Sequence, residues 1–316
     1  MAEPVNAFLY AFRKNDGGGV LLRASAAFVV LAGALWGLFL FLNRDAIGGT
    51  MTWVIDIIRL VADSGGELRI EEMPEPPAGA GAMFGGLFLL LLAYNIVLAA
   101  YEAACLRWLI HGERAGGFGL SLGFDTWRVW GVYWVWFALK LALAVVTSVI
   151  VGVSAMIRGE GWTGVERDWI SFVVQIASLY FLVRWAPAAA TSVGRGAFSF
   201  FESWTVTGGR FWRMLGAFAI LAALLVLYHA AVFGGALWLL WPSIGANVQA
   251  VAEDRENVGL ALDLIAKLFS APNLPIIVGA YLALAPAMVF MLLAYYGICA
   301  KAVRTALDEG RIEREN

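Results

Sequence analysis

The sequence predicts an all-α, polytopic membrane bundle of about six transmembrane helices. Three observations predict it. The chain of 316 residues is 61% hydrophobic and only 15% charged, where a soluble chain carries about a quarter charged residues. Its apolar residues gather in six long runs, each near or above the roughly 20 residues that cross about 30 Å of hydrocarbon. Those runs do not alternate as barrel strands do. Lipid offers no partner to an open strand edge, so each run reads as a helix.

Taken in order, spans are expected over 24–43, 82–106, 128–156, 169–190, 212–241 and 274–300. The first is too long for a signal-peptide core. It ends at Asn43-Arg44-Asp45 without a small-residue cleavage site, and so reads as a retained span. The third and fifth exceed the lipid thickness and either tilt or continue beyond it. Ala99/Ala103, Ala100/Ala104 and the Gly234-Gly235 pair permit close helix approach. Pro286 is expected to kink the sixth span. The whole of 1–316 is expected to form a single membrane domain, with 302–316 as a short cytoplasmic tail.

Orientation follows from the basic residues. With the N-terminus in the cytoplasm, 14 of the 22 lysines and arginines fall on the cytoplasmic side and 7 on the other, with Lys140 inside a span. That bias predicts both termini inside. Most tryptophans fall near the span ends, where amphipathic rings anchor to headgroups: Trp108, Trp127, Trp204 and Trp212 on one side, Trp53, Trp162, Trp169 and Trp241 on the other.

An internal repeat is visible. Phe124-Asp125-Thr126-Trp127 precedes the third span and Phe201-Glu202-Ser203-Trp204 the fifth. The even spans end alike, at Tyr101-x-x-x-Cys105-x-Arg107, Tyr180-x-x-x-Arg184 and Tyr295-x-x-x-Cys299-x-Lys301. Three elbow-plus-hairpin units follow, at about 6–106, 118–190 and 198–301. The elbows at 6–12, 118–127 and 198–204 are too short to span and suit the interface plane. Their acids and hydroxyls suit the first turn of a helix. Chance similarity between aromatic membrane edges is the competing explanation. The outer loops 44–81 and 242–273 carry amphipathic stretches, Met51 to Ala62 and Val258 to Phe269, and acidic residues at Asp63, Glu67, Glu71, Glu72 and Glu75, then Glu253, Asp254 and Glu256. Each stretch either rests on the membrane, caps the bundle, or meets another membrane protein.

The segment from Ser199 to Phe218 resembles one that recurs in bacterial six-helix membrane proteins related to the membrane domain of glycerophosphodiester phosphodiesterases. The matching positions are Trp204, Thr207, Gly208, Phe211, Trp212 and Arg213. The likeness covers this short motif and, loosely, the six-span layout. It implies a bundle in the bacterial cytoplasmic (inner) membrane with a connection to lipid, and carries over no catalytic residue.

Polar residues inside the spans are the candidate site. Lys140 should lie about 18 Å along the third span from its inner edge. A charge there costs about 2.5–3.5 kcal/mol and needs a partner or water. Asn95 is expected at similar depth. Glu102 and Arg184 are shallower and could pair across helices or face headgroups. His229 has no second ligand on its helix, so it reads as a hydrogen-bonding residue and no metal site is expected. Arg128, Arg210 and Arg213 are candidate contacts to lipid headgroups. Two cysteines, Cys105 and Cys299, read as buried thiols. No cofactor is expected, no catalytic motif is present, and the basic residues never cluster as nucleic-acid binding requires. A non-enzymatic accessory or lipid-binding protein is the first expectation. The alternative is a flippase-like carrier of an amphipathic or anionic substrate through a pocket near Lys140.

Overall fold

The structure, a computed structural model, describes residues 6–13, 19–63, 73–114, 116, 119–158, 164–254, 257–270 and 272–315. Lys14, Glu67, Arg69, Glu71, Glu72, Phe118, Trp162, Arg255 and Glu256, all used above, lie outside them, as do the side chains of Arg158 and Arg167.

The described residues form eleven helices and no strand. These are α1 (Tyr10–Arg13), α2 (Val20–Leu42), α3 (Arg44–Asp63), α4 (Ala80–His111), α5 (Phe124–Arg158), α6 (Gly164–Trp185), α7 (Ala188–Arg195), α8 (Ser203–Thr207), α9 (Phe211–Glu253), α10 (Val258–Leu268) and α11 (Leu274–Asp308). Six stretches are long and apolar enough to cross a membrane: Val20–Leu42, Ala80–His111, Phe124–Ile150, Phe172–Arg195, Phe211–Glu253 and Leu274–Asp308. The protein is therefore an all-α, multi-pass membrane protein.

The helices outrun the apolar runs. α9 has 43 residues, and α5 and α11 have 35 each. Hydropathy marks where lipid begins and ends, whereas backbone hydrogen bonding continues into polar sequence. α9 passes through Pro242 and α11 through Pro286 while remaining helical. The fourth span does break, at Ala186-Pro187 between α6 and α7. Proline cannot donate a backbone hydrogen bond, and it opens the next helix well. α7 then ends at Gly196 in the left-handed conformation, φ 75°, which favours glycine.

The chain divides into two compact units. The first comprises 1–29, 95–222 and 292–316; the second comprises 30–94 and 223–291.

The first unit is built on small residues. Ala99, Ala100, Ala103 and Ala104 of α4 are all buried, as expected of a close-approach stripe. A Cβ on Gly297 would meet the backbone N of Ala11 at 2.9 Å, and one on Gly194 would meet Val303 Cγ1 at 2.5 Å. Tyr101 stacks on Phe28 at 4.6 Å and shares a 2.8 Å hydrogen bond with Ser25. The segment from Ala302 is helical to Asp308 and then folds back. Glu315 donates its backbone N–H to the Arg195 carbonyl at 2.7 Å, and Arg311 donates to the carbonyls of Thr205 and Gly208.

In the second unit, α3 and α10 pack against one another. Both helices are amphipathic, and they come from the first and last outer loops, so each covers part of the other. Asn273, at the end of the last outer loop, is buried, accepting from Ser243 at 3.0 Å and donating to the Lys267 carbonyl at 2.8 Å. The Gly234-Gly235 pair was expected to admit a close neighbour. A Cβ there would meet nothing within 4 Å.

Candidate functional site

The two Phe-acid-hydroxyl-Trp copies take different local forms. Phe124 to Trp127 is the first turn of α5 itself. Phe201 to Trp204 leads into the separate short helix α8. In both, the acid meets an arginine from the end of the preceding helix. Asp125 lies 3.6 Å from Arg107 and 2.7 Å from Arg128. Glu202 accepts from Arg195 at 2.9 Å and makes no capping bond. Arg195 also pairs with Glu315. These pairs hold elbow to helix end, and Arg128, a candidate headgroup contact, is one of their members.

Glu102 and Arg184 do not meet. Glu102 accepts a 2.5 Å hydrogen bond from Tyr133 of α5. Arg184 donates to Thr207 Oγ1 at 3.3 Å and lies over the rings of Trp204, Tyr180 and Phe211, at 4.9, 5.4 and 5.7 Å. The ring faces supply a cation–π partner in place of an acid. Helix spacing placed both residues at comparable depth but could not say which sides of α4 and α6 face each other.

The expected polar site therefore separates into parts. His229 lies in the second unit, where its Nδ1 is 2.9 Å from the Leu225 carbonyl of its own helix. Lys140, Asn95 and Glu102 remain in the first unit, around adjoining cavities. One of these cavities has a volume of about 770 Å³. Leu179, Leu182, Leu215, Phe218, Ala219 and Ala222 are among the side chains that line it. Lys140 is the one charged residue in that lining. It is exposed, and it makes no hydrogen bond or ion pair with any described residue. It also borders a second cavity of about 480 Å³, with Thr147, Ser148 and Val174.

Asn95 and Glu102 border a smaller cavity of about 240 Å³. It shares Tyr133, Trp136, Ala186 and Tyr295 with the large one. Tyr295 donates its hydroxyl hydrogen to the Ala186 carbonyl at 2.9 Å, beside Cys299 at 3.6 Å. That carbonyl lies at the Pro187 break, where the helix end leaves acceptors to satisfy. Nothing in the sequence marked Tyr133 or Trp136 as cavity residues. The useful signal would have been their i, i+3 and i+7 spacing before Lys140 on one helix face.

A fourth cavity, about 280 Å³, is basic. Arg210, Arg213 and Lys301 border it together with Thr305 and Glu309. Arg210 pairs with Glu309. Burial lowers the Arg210 pKa from its ordinary value and the Arg311 charge adds to this, while Glu309 opposes it. Sequence reasoning found the two arginines but not Lys301, Thr305 or Glu309, which arrive from the far end of the chain on α11.

Among the described residues, no group of histidine, cysteine and acidic side chains could hold a metal ion. No family model, curated protein or solved structure matches the chain.

Proposed function

We propose that the protein is a non-enzymatic lipid-binding component of the bacterial cytoplasmic membrane, holding an apolar chain in its 770 Å³ cavity. What supports this reading is the lining, which is apolar apart from Lys140 and a few aromatic edges. Such a surface gains from an acyl chain by area burial and van der Waals contact. The basic cleft at Arg210, Arg213 and Lys301 supplies a place for an anionic headgroup at a span end. The excess of basic residues on the elbow side supports cytoplasmic termini.

The test is lipid analysis of the protein purified in mild detergent. Retained lipid should fall several-fold in Ala219→Trp, which fills the cavity. Equal retention by both proteins would sink the reading.

A second reading, a carrier for an amphipathic anion, draws on Lys140. It is unpartnered among the described residues and borders two cavities in succession along α5. A charge in that position could meet an anionic group in transit. Reconstituted vesicles should then show anionic-lipid movement that drops at least tenfold in Lys140→Gln. Unchanged movement removes this reading and leaves the binding role.

A further inference from the structure

The 240 Å³ cavity beside Glu102 has a chemistry opposite to that of the basic cleft. Glu102 is only 5% exposed. Its Oε2 accepts from Tyr133, and its other oxygen receives no hydrogen bond from any described residue. A buried carboxylate wants a cation or donors on both oxygens. Three tyrosines border the cavity: the hydroxyl of Tyr133 donates to Glu102 itself, that of Tyr295 donates to the Ala186 carbonyl, and that of Tyr296 makes no hydrogen bond with any described residue. No lysine or arginine borders the cavity. Around the carboxylate stand the rings of Tyr133, Trp136, Tyr295 and Tyr296, with the amide of Asn95 on the same wall. The rings of Tyr295 and Tyr296 meet edge to face at 5.8 Å, so the wall they form is braced.

Aromatic rings that line a cavity together with a carboxylate favour one class of group. The negative face of each ring favours a cation, and the effect grows when the cation is desolvated. An anion would be repelled by both elements, and a neutral apolar group would leave the carboxylate oxygen unsatisfied.

We infer that this cavity is a binding site for an ammonium group, primary or quaternary, carried by an amphiphile whose apolar part continues into the adjoining larger cavity. The shared wall of Tyr133, Trp136, Ala186 and Tyr295 gives the continuity that such a ligand needs. The inference rests on the lipid-binding reading of the larger cavity and names the head group of the chain held there; the basic cleft shares no lining residue with either cavity and is a separate place for an anionic headgroup. The Tyr133 hydrogen bond fixes the carboxylate in place before the ligand arrives, so little reorganisation is needed.

The experiment compares two single-chain probes on the full-length protein in an uncharged maltoside detergent. One ends in trimethylammonium. The other is its neutral isostere, ending in a tert-butyl group. The ammonium probe should bind at least about tenfold more tightly. That preference should shrink to near unity in Glu102→Gln, which keeps the shape and the Tyr133 bond. Equal binding of the two probes to the unsubstituted protein overturns the site while leaving the apolar cavity standing, and it needs no variant to fold. A preference that persists in Glu102→Gln overturns the role of the carboxylate. Failure of both probes to bind, with no effect of Ala219→Trp, overturns the larger cavity and this ligand together.

Discussion

The C-terminal part of α4 and the outer run of α9 are both apolar and helical, but they are built for different surroundings. On α4, every residue from Ala99 to Ile110 is buried. Small residues recur there at Ala99, Ala100, Ala103, Ala104 and Cys105, and large ones such as Tyr101 and Leu109 are fully covered. On α9, Val226, Leu227, Phe233, Leu237, Trp238 and Leu239 are exposed. The first stretch packs against protein and the second presents surface that lipid can cover. Apolar lipid gives helices no hydrophobic reason to associate, so close packing depends on small side chains and hydrogen bonds. The first unit has both. On α9 in the second unit, branched and aromatic side chains point outward instead.

The largest expected contrast is in glycine replacement. Gly297→Val in the first unit should abolish recovery of monodisperse protein, because its Cβ would strike the Ala11 backbone at 2.9 Å. Gly234→Val in the second unit should change the unfolding midpoint little, with open space around it. Equal tolerance at both positions would break the comparison. Next comes the elbow ion pair. Asp125→Asn leaves Arg107, with a side chain only 9% exposed, facing a neutral group. A loss of about 2 kcal/mol is expected in a thermal or denaturant unfolding assay, moderated by the remaining Arg107–Ser121 bond at 2.9 Å.

Paired tyrosine changes sharpen the same contrast. Tyr101→Phe strands the buried Ser25 hydroxyl and should cost about 1–2 kcal/mol. Tyr228→Phe removes a bond to the Ala283 carbonyl on an exposed side chain of the second unit and should cost about 0.6 kcal/mol. A larger loss at Tyr228 would reverse the ranking. The smallest effect is at the cap of α10. Asn257 accepts from the Leu260 N–H at 3.4 Å, and Asn257→Ala should lower stability by about 0.5 kcal/mol, seen as faster hydrogen exchange confined to α10.

Much of the fold was legible in residue order. Six apolar runs announced six helices because a chain in lipid must satisfy its own backbone. The alanine stripe at Ala99 to Ala104 announced a close approach. The elbow arginines and the two amphipathic outer helices were also readable, although not that α3 and α10 would cover one another. The Pro187 break escaped notice because an unbroken hydropathy run hides a backbone interruption. The Gly234-Gly235 pair misled, since a glycine permits a close neighbour without supplying one.

The candidate site divided along the same line. Residue order alone identifies Lys140, Asn95 and Glu102 as unusual, because charge and amide within hydrocarbon are costly wherever they point. Which of them meet is decided by helix rotation and packing, and these depend on side-chain fit between distant segments. That is why Glu102 pairs with Tyr133, why Arg184 rests on aromatic rings, and why Lys301 and Glu309 join Arg210 from the other end of the chain. Helical character is a local property that each run carries by itself. A cavity is a property of the gaps between runs, and only the folded arrangement contains it.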